Sequence, residues 1–201
     1  MKGEKQNTVT LASFGAFDRQ TIELIAEAIR EDLGMPVAII ERRVDLSIYF
    51  DIGRRQYDGN RLMKMIEPQF PDTQGKIVGL FNVDLFIPIL TFIYGQAYLG
   101  GKIAIASKFR LMNEHYGLPA NEELLKDRFI KEVIHELGHA MGLVHCHTPT
   151  CVMRSSTYVE DVDQKERYFC QECRSQLENN GYITKRALKI DNPGFTDYQL
   201  K

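Results

Sequence analysis

Three of the five histidines in this 201-residue chain fall within eleven residues, His135-Glu136-Leu137-Gly138-His139-Ala140-Met141-Gly142-Leu143-Val144-His145. This segment constrains the fold more than any other. His135 and His139 stand four residues apart, so on an α-helix both imidazoles leave the same face, one turn apart. Ile130, Val133, Ile134, Leu137 and Met141 form a stripe near the opposite face. The stripe is expected to pack on a sheet while the histidines look into a cleft. Both imidazoles can then reach one ion, at about 2.0–2.1 Å for zinc. His145 cannot join them from the same straight helix, because its angle is wrong and it lies too far along the axis. Gly142 removes the obstacle: glycine adopts a positive φ without a Cβ penalty, so the helix can stop and the chain turn back with His145 as third ligand. Three neutral nitrogens leave a position open for water, the arrangement of a catalytic zinc. Glu136 can take a proton from that water and pass it to a leaving amine. The alternative is a helix with incidental histidines. An isolated HExxH is short enough to arise by chance, but Gly142 and His145 at these offsets argue against that.

All four cysteines lie close behind: Cys146, Cys151, Cys170 and Cys173. A disulfide framework would spread its bridges over the fold, so crowding into one window favours a metal. Four thiolates can enclose a tetrahedral zinc with no open position, a structural site. Buried thiols or a redox pair are the bland alternatives. A nucleic-acid-binding zinc-ribbon also carries four cysteines, but here Cys146 adjoins His145, so the second metal would brace the loop that supplies the third histidine.

The histidine segment resembles the metzincin signature H-E-x-x-H-x-x-G-x-x-H at every fixed position. With the cysteines and Cys151-Val152-Met153 included, residues 135–173 resemble the archaemetzincins. The resemblance implies a zinc-dependent metallopeptidase with Glu136 as base and His135, His139 and His145 on a catalytic zinc. Cys146, Cys151, Cys170 and Cys173 would hold a structural zinc, giving two Zn(2+) per chain. It makes Met153 the Met-turn residue, an apolar floor beneath the histidines. Two departures stand out. The spacer 154–169 is one residue shorter than the family pattern, which a surface loop can absorb. No tyrosine stands two residues after Met153, and Tyr158, five residues on, is not assigned as a ligand.

Upstream, residues 8–14 alternate as a strand. Asp18 can cap a helix running to about Leu33, ended by Gly34 and Pro36, and Val37-Ala38-Ile39-Ile40 reads as a second strand. Asp58-Gly59-Asn60 precedes a helix with Leu62, Met63, Met65 and Ile66, closed by Pro68 and Pro71. Strands are expected over 76–84, 92–98 and 102–107, the last two joined by Leu99-Gly100-Gly101, then a long helix over 121–141. Alternating strands and helices imply an α/β fold with a largely parallel sheet. With the resemblance, the expected class is metzincin-like: a twisted mixed sheet with helices and an active-site helix, plus a small irregular zinc-stabilised C-terminal lobe. The expected division is an upper lobe, 1–142, and a lower lobe, 143–201, whose periodicity fades and which looks too irregular to build its own core.

Net charge is −2 and the pI about 6.2, which offers no basic field for nucleic acid. The start lacks the apolar run of a signal peptide, and the most apolar stretch, 81–99, is interrupted by Asn82, Asp84, Pro88 and Gln96. A cytoplasmic protein without a membrane partner, a monomer acting on a peptide or protein substrate, is expected. A zinc-stabilised binding module without turnover is the alternative, against which Glu136 argues, since a purely structural metal needs no base. Tyr94-Gly95-Gln96-Ala97-Tyr98 is a candidate edge strand for pairing with a peptide. His147 and His115 are read as exposed or supporting, Met63 and Met65 as core plus surface, and Arg42-Arg43 and Arg54-Arg55 as solvated charges.

Overall fold

The computed structural model describes residues 7–183. In chain order it holds β1 (Val9–Phe14), α1 (Arg19–Leu33), β2 (Val37–Arg42), β3 (Phe50–Asp51), β4 (Gln56–Asp58), α2 (Gly59–Ile66), β5 (Lys76–Phe81), β6 (Leu85–Phe86), β7 (Gly95–Ala97), β8 (Ile103–Ser107), α3 (Glu122–Ala140), α4 (Val159–Gln164) and α5 (Gln171–Asn179). The main sheet runs β2-β1-β5-β8-β7. Its first four strands are parallel and β7 closes one edge antiparallel to β8, with Gln96 opposite Ile105. The central strands are apolar on both faces, as strands covered on both sides must be. Val9 and Leu11 of β1 join the cluster of α1 and α3, while Ala12 and Phe14 join Leu62, Met63 and Ile66 of α2. That is the period of two in β1 read as two cores.

Helix boundaries follow their caps. The Asp18 carboxylate accepts from Thr21 N at 3.0 Å at the start of α1, and Asn121 Oδ1 accepts from Leu124 N at 3.1 Å at the start of α3. The far end of α3 is held from outside. Lys76 Nζ donates to Ala140 O at 2.7 Å, and Gly100 N donates to His139 O at 2.9 Å. These bonds satisfy carbonyls that a helix end leaves without partners.

The α/β class and mixed sheet agree with the sequence reading, while several elements differ. The expected strand 92–98 shortens to Gly95–Ala97, and 76–84 stops at Phe81. A second sheet, β3-β4-β6, was not foreseen. Arg54 is not a free solvated charge: its guanidinium donates to Leu90 O at 2.6 Å and Thr91 O at 3.1 Å. The segment after 142 carries two helices, and Val152, Met153, Val162 and Leu177 join the core of the main sheet. For this reason α3 is buried nearly all round from Arg128 onward rather than along one stripe. Arg128, on its tail-facing side, forms a two-pronged pair with Asp163 at 2.6 and 2.7 Å. The remainder of the expected lower lobe, 184–201, lies outside the described residues.

Candidate metal and active site

The third histidine reaches the other two because the chain reverses at one residue. Gly142 has φ 96°, a region L side chains rarely enter. Leu143 N donates back to Gly138 O at 3.0 Å, closing the turn. His145 comes round so that ligand nitrogens of His135, His139 and His145 lie within 4.8 Å of one another. Two of the rings are locked from behind. His135 Nδ1 meets Val152 O and His139 Nδ1 meets Leu143 O, both at 2.8 Å. A carbonyl only accepts, so each Nδ1 carries its hydrogen and each Nε2 is a bare lone pair. Those two Nε2 atoms stand 3.1 Å apart. Lone pair facing lone pair is repulsive unless a cation lies between, and tetrahedral zinc would hold such nitrogens about 3.3 Å apart. Burial lowers the proton affinity of all three imidazoles, which keeps them neutral.

Two glycines are set by contact with this centre. A Cβ on Gly138 would collide with the Met153 sulfur, so Met153 fits directly under the helix turn between the two ligating positions. A Cβ on Gly95 of β7 would lie 2.5 Å from Glu136 Cγ and 2.8 Å from its Oε1. The edge strand therefore rests against the Glu136 side chain. Glu136 is buried and its Oε2 has no hydrogen-bond partner. Burial first, then the neighbouring Glu132 carboxylate, pushes the Glu136 carboxyl well above the usual range, against the pull of the Lys165 ammonium.

The cysteines also converge. Cys146 and Cys170 sulfurs stand 3.7 Å apart, and Cys151 and Cys173 sulfurs 3.8 Å. A disulfide needs about 2.05 Å, whereas tetrahedral zinc–thiolate bonds of about 2.3 Å place sulfurs about 3.8 Å apart. Thr148 N donates to Cys146 Sγ at 3.4 Å and Cys170 N to Cys151 Sγ at 3.3 Å, contacts that favour thiolate. Burial raises the Cys151 thiol to about 11. Burial also acts on Cys170, but backbone and thiol hydrogen bonds outweigh it and bring that thiol to about 7. The cluster ties the residue after His145 to the first turn of α5. Cys146 N donates to Met153 O at 2.9 Å, joining it to the Met153 turn as well.

A cavity of about 320 Å³ opens beside the histidines, lined by 90–95 together with Glu132, His135, Glu136, His145, 155–157 and Lys165. His147 is exposed and stands outside both ligand groups; His115 packs on the Phe109 ring, centroids 4.1 Å apart. Tyr158 is 68% exposed at the N-cap of α4 and is not among the residues lining the cavity. Gly95, from the expected edge strand, lines the site, and so do Glu132, Ser156 and Lys165, which the sequence reading does not single out. Glu132 was detectable, four residues before Glu136 on the same helix face. Lys165 was not, since the charged run 161–167 reads as solvated surface.

The family model for peptidase family M54 matches residues 20–179. An archaemetzincin of Methanocaldococcus jannaschii is 34% identical over 178 residues, 88% of this chain and 96% of that protein. One of Archaeoglobus fulgidus is 35% identical over 159 residues, 78% and 91% of the two chains. Among solved structures, a zinc-dependent peptidase of Methanocorpusculum labreanum superposes with TM-score 0.77 at 32% identity, covering 84% of this chain and 99% of that one. An archaemetzincin of Methanopyrus kandleri gives 0.74 at 30% identity, covering 90% and 97%.

Proposed function

The chain belongs to peptidase family M54 and is a zinc-dependent metallopeptidase, and from that premise we propose which of its residues perform the hydrolysis. His135, His139 and His145 hold the catalytic zinc and Glu136 is the general base. Cys146, Cys151, Cys170 and Cys173 hold a structural zinc, two ions per chain. The fit of each donor set to zinc supports this: bare Nε2 lone pairs 3.1 Å apart in one, sulfurs 3.7 and 3.8 Å apart in the other. Zinc in the histidine site supplies Lewis-acid polarisation of a scissile carbonyl.

The chain's own groups do the rest. β7 pairs with β8 on one side and is the last strand of its sheet, so an extended peptide can add to its other edge through backbone hydrogen bonds. The close seat of Glu136 on Gly95 fixes the carboxylate relative to that strand. Glu136 Oε2 takes a proton from the attacking water as the new C–O bond forms. It returns that proton to the leaving nitrogen as the C–N bond breaks, so the carboxylate is restored for the next turnover. The base and the strand come from residues 1–142. The third ligand, the Met153 floor and the thiolates come from the segment after 142, the division that the two lobes imply. A metzincin assignment follows from the signature and the place of Met153 under Gly138. No helix among the described residues is long and apolar enough to cross a membrane; a cytoplasmic monomer remains part of the proposal.

The observation that carries the catalytic assignment is the unpartnered Glu136 Oε2 in a buried position beside the histidines. Glu136→Gln should keep the fold and both zinc ions, yet lose peptide hydrolysis by about 10²–10⁴-fold, the usual worth of a general base. Cleavage at the wild-type rate by that variant would remove Glu136 from the mechanism. A zinc-loaded, folded wild type that binds peptides and never cuts them would instead favour the binding module.

A further inference from the structure

One wall of the cavity takes no part in that chemistry. Backbone bonds from Glu166 N to Thr150 O and from Val152 N to Tyr168 O, each 2.9 Å, lay the 165–168 segment alongside the 150–154 turn. Lys165 is thereby turned inward, and the residue is only 1% exposed. Its Nζ makes one hydrogen bond, to Arg154 O at 3.3 Å, although an ammonium carries three donors. Ser156 Oγ is also buried, with no hydrogen-bond partner. Both residues line the cavity that contains Glu136 and His145. Buried donors with capacity to spare are costly unless something accepts from them.

Charge selects the kind of acceptor. Glu132 and Glu136 contribute two negative charges when ionised, Lys165 one positive, and the neutral imidazoles none. The nearby Lys131 ammonium is already paired with Asp127 at 2.7 Å. With a dication on the histidines the pocket is net positive even when both carboxylates are ionised, so an incoming carboxylate reduces the excess. A carboxylate also offers two oxygens, one for each donor.

We propose that Lys165 and Ser156 form a carboxylate-receiving subsite that makes the peptidase selective for an acidic group next to the scissile bond. The group is either the side chain of an acidic residue or the carboxylate that ends a chain one residue beyond the bond. This rests on the peptidase reading, with Lys165 as a specificity-determining residue rather than a catalytic one.

The test is peptide binding to the zinc-loaded Glu136→Gln protein, which holds peptides without cutting them, followed by fluorescence anisotropy. Amidated peptides carrying Glu or Gln on either side of the scissile bond probe the side-chain source. A pair ending one residue after the bond as free acid or amide probes the terminal source. One acid should bind at least about tenfold tighter than its amide, as a buried charge-assisted hydrogen bond implies, and the successful pair identifies the source. Adding Lys165→Met should bring that ratio to about one, Lys165→Arg should keep most of it, and Ser156→Ala should reduce it. Equal binding of acid and amide in both pairs, or a ratio that survives Lys165→Met, overturns the subsite while leaving the peptidase reading intact. Failure of every peptide to bind overturns both.

Discussion

A methyl group on Gly138 would strike the Met153 sulfur and come within 3.1 Å of the Phe169 ring. Both neighbours are buried in the main core, so Gly138→Ala should destabilise the protein by about 1–3 kcal/mol, as overpacking does. The cost should be smaller when Met153→Ala is already present, because the variants share one contact. Denaturant unfolding of the four-member cycle measures this, and simple additivity would count against a direct clash. Asp32 makes a second prediction at this scale. Its carboxylate is buried without a hydrogen bond, with Arg167 Nε at 3.5 Å. Burial raises it to about 6, partly opposed by Arg167. The folded state therefore keeps this proton at pH values where the unfolded chain, near 3.8, has lost it. Its contribution to stability falls as pH rises from about 4 to 6 and stays low above. Asp32→Asn should remove that slope, so the variant gains on the wild type by as much as about 3 kcal/mol between pH 4 and 7. Parallel stability curves for the two proteins over that window would refute the assignment.

Elements carry the site unequally. The active-site helix was legible because its signals are local: Asn121 at the cap, histidines one turn apart, a glycine where the chain must reverse. The cysteine spacing was equally local. By contrast β3, β4 and β6 are two or three residues long, too short to show a period of two. α5 buries only Cys173 and Leu177, so no apolar stripe announces a helix there. The reading of α3 as one-sided failed for a related reason. What covers its second face is the tail, whose apolar residues are scattered singly among polar ones. Arg54 looked solvated because nothing local shows the Leu90 and Thr91 carbonyls it reaches across 36 and 37 residues. Since α5 is fastened at its first turn through Cys170 and Cys173, Cys173→Ser should lower the melting temperature and also weaken zinc at His145, next to Cys146. Calorimetry with zinc titration reads both, and an unchanged melting point with full zinc content would contradict the bracing role.

For the molecule as a whole, the two donor sets predict that metal leaves in stages. Three neutral imidazoles with a vacant position are open to a chelator, while four thiolates carry more ligand charge and leave none. A moderate chelator should remove one zinc per chain and abolish hydrolysis with the circular dichroism unchanged; the second zinc should leave only with unfolding. Both ions leaving in a single step with the fold would argue against separate catalytic and structural roles. The seat of Glu136 on Gly95 has a consequence for the order in which the protein matures. Every proposed metal ligand lies within 135–173, so both ions can be captured across short loops of low contact order. Gly95 arrives on β7, which needs β8, which in turn pairs with β5 and through it with β1. The metal centres can therefore close on a partly folded chain, whereas the carboxylate and the substrate strand meet only after the sheet is complete. A nascent chain of this design should therefore hold its metals before its edge strand is in place to receive a peptide.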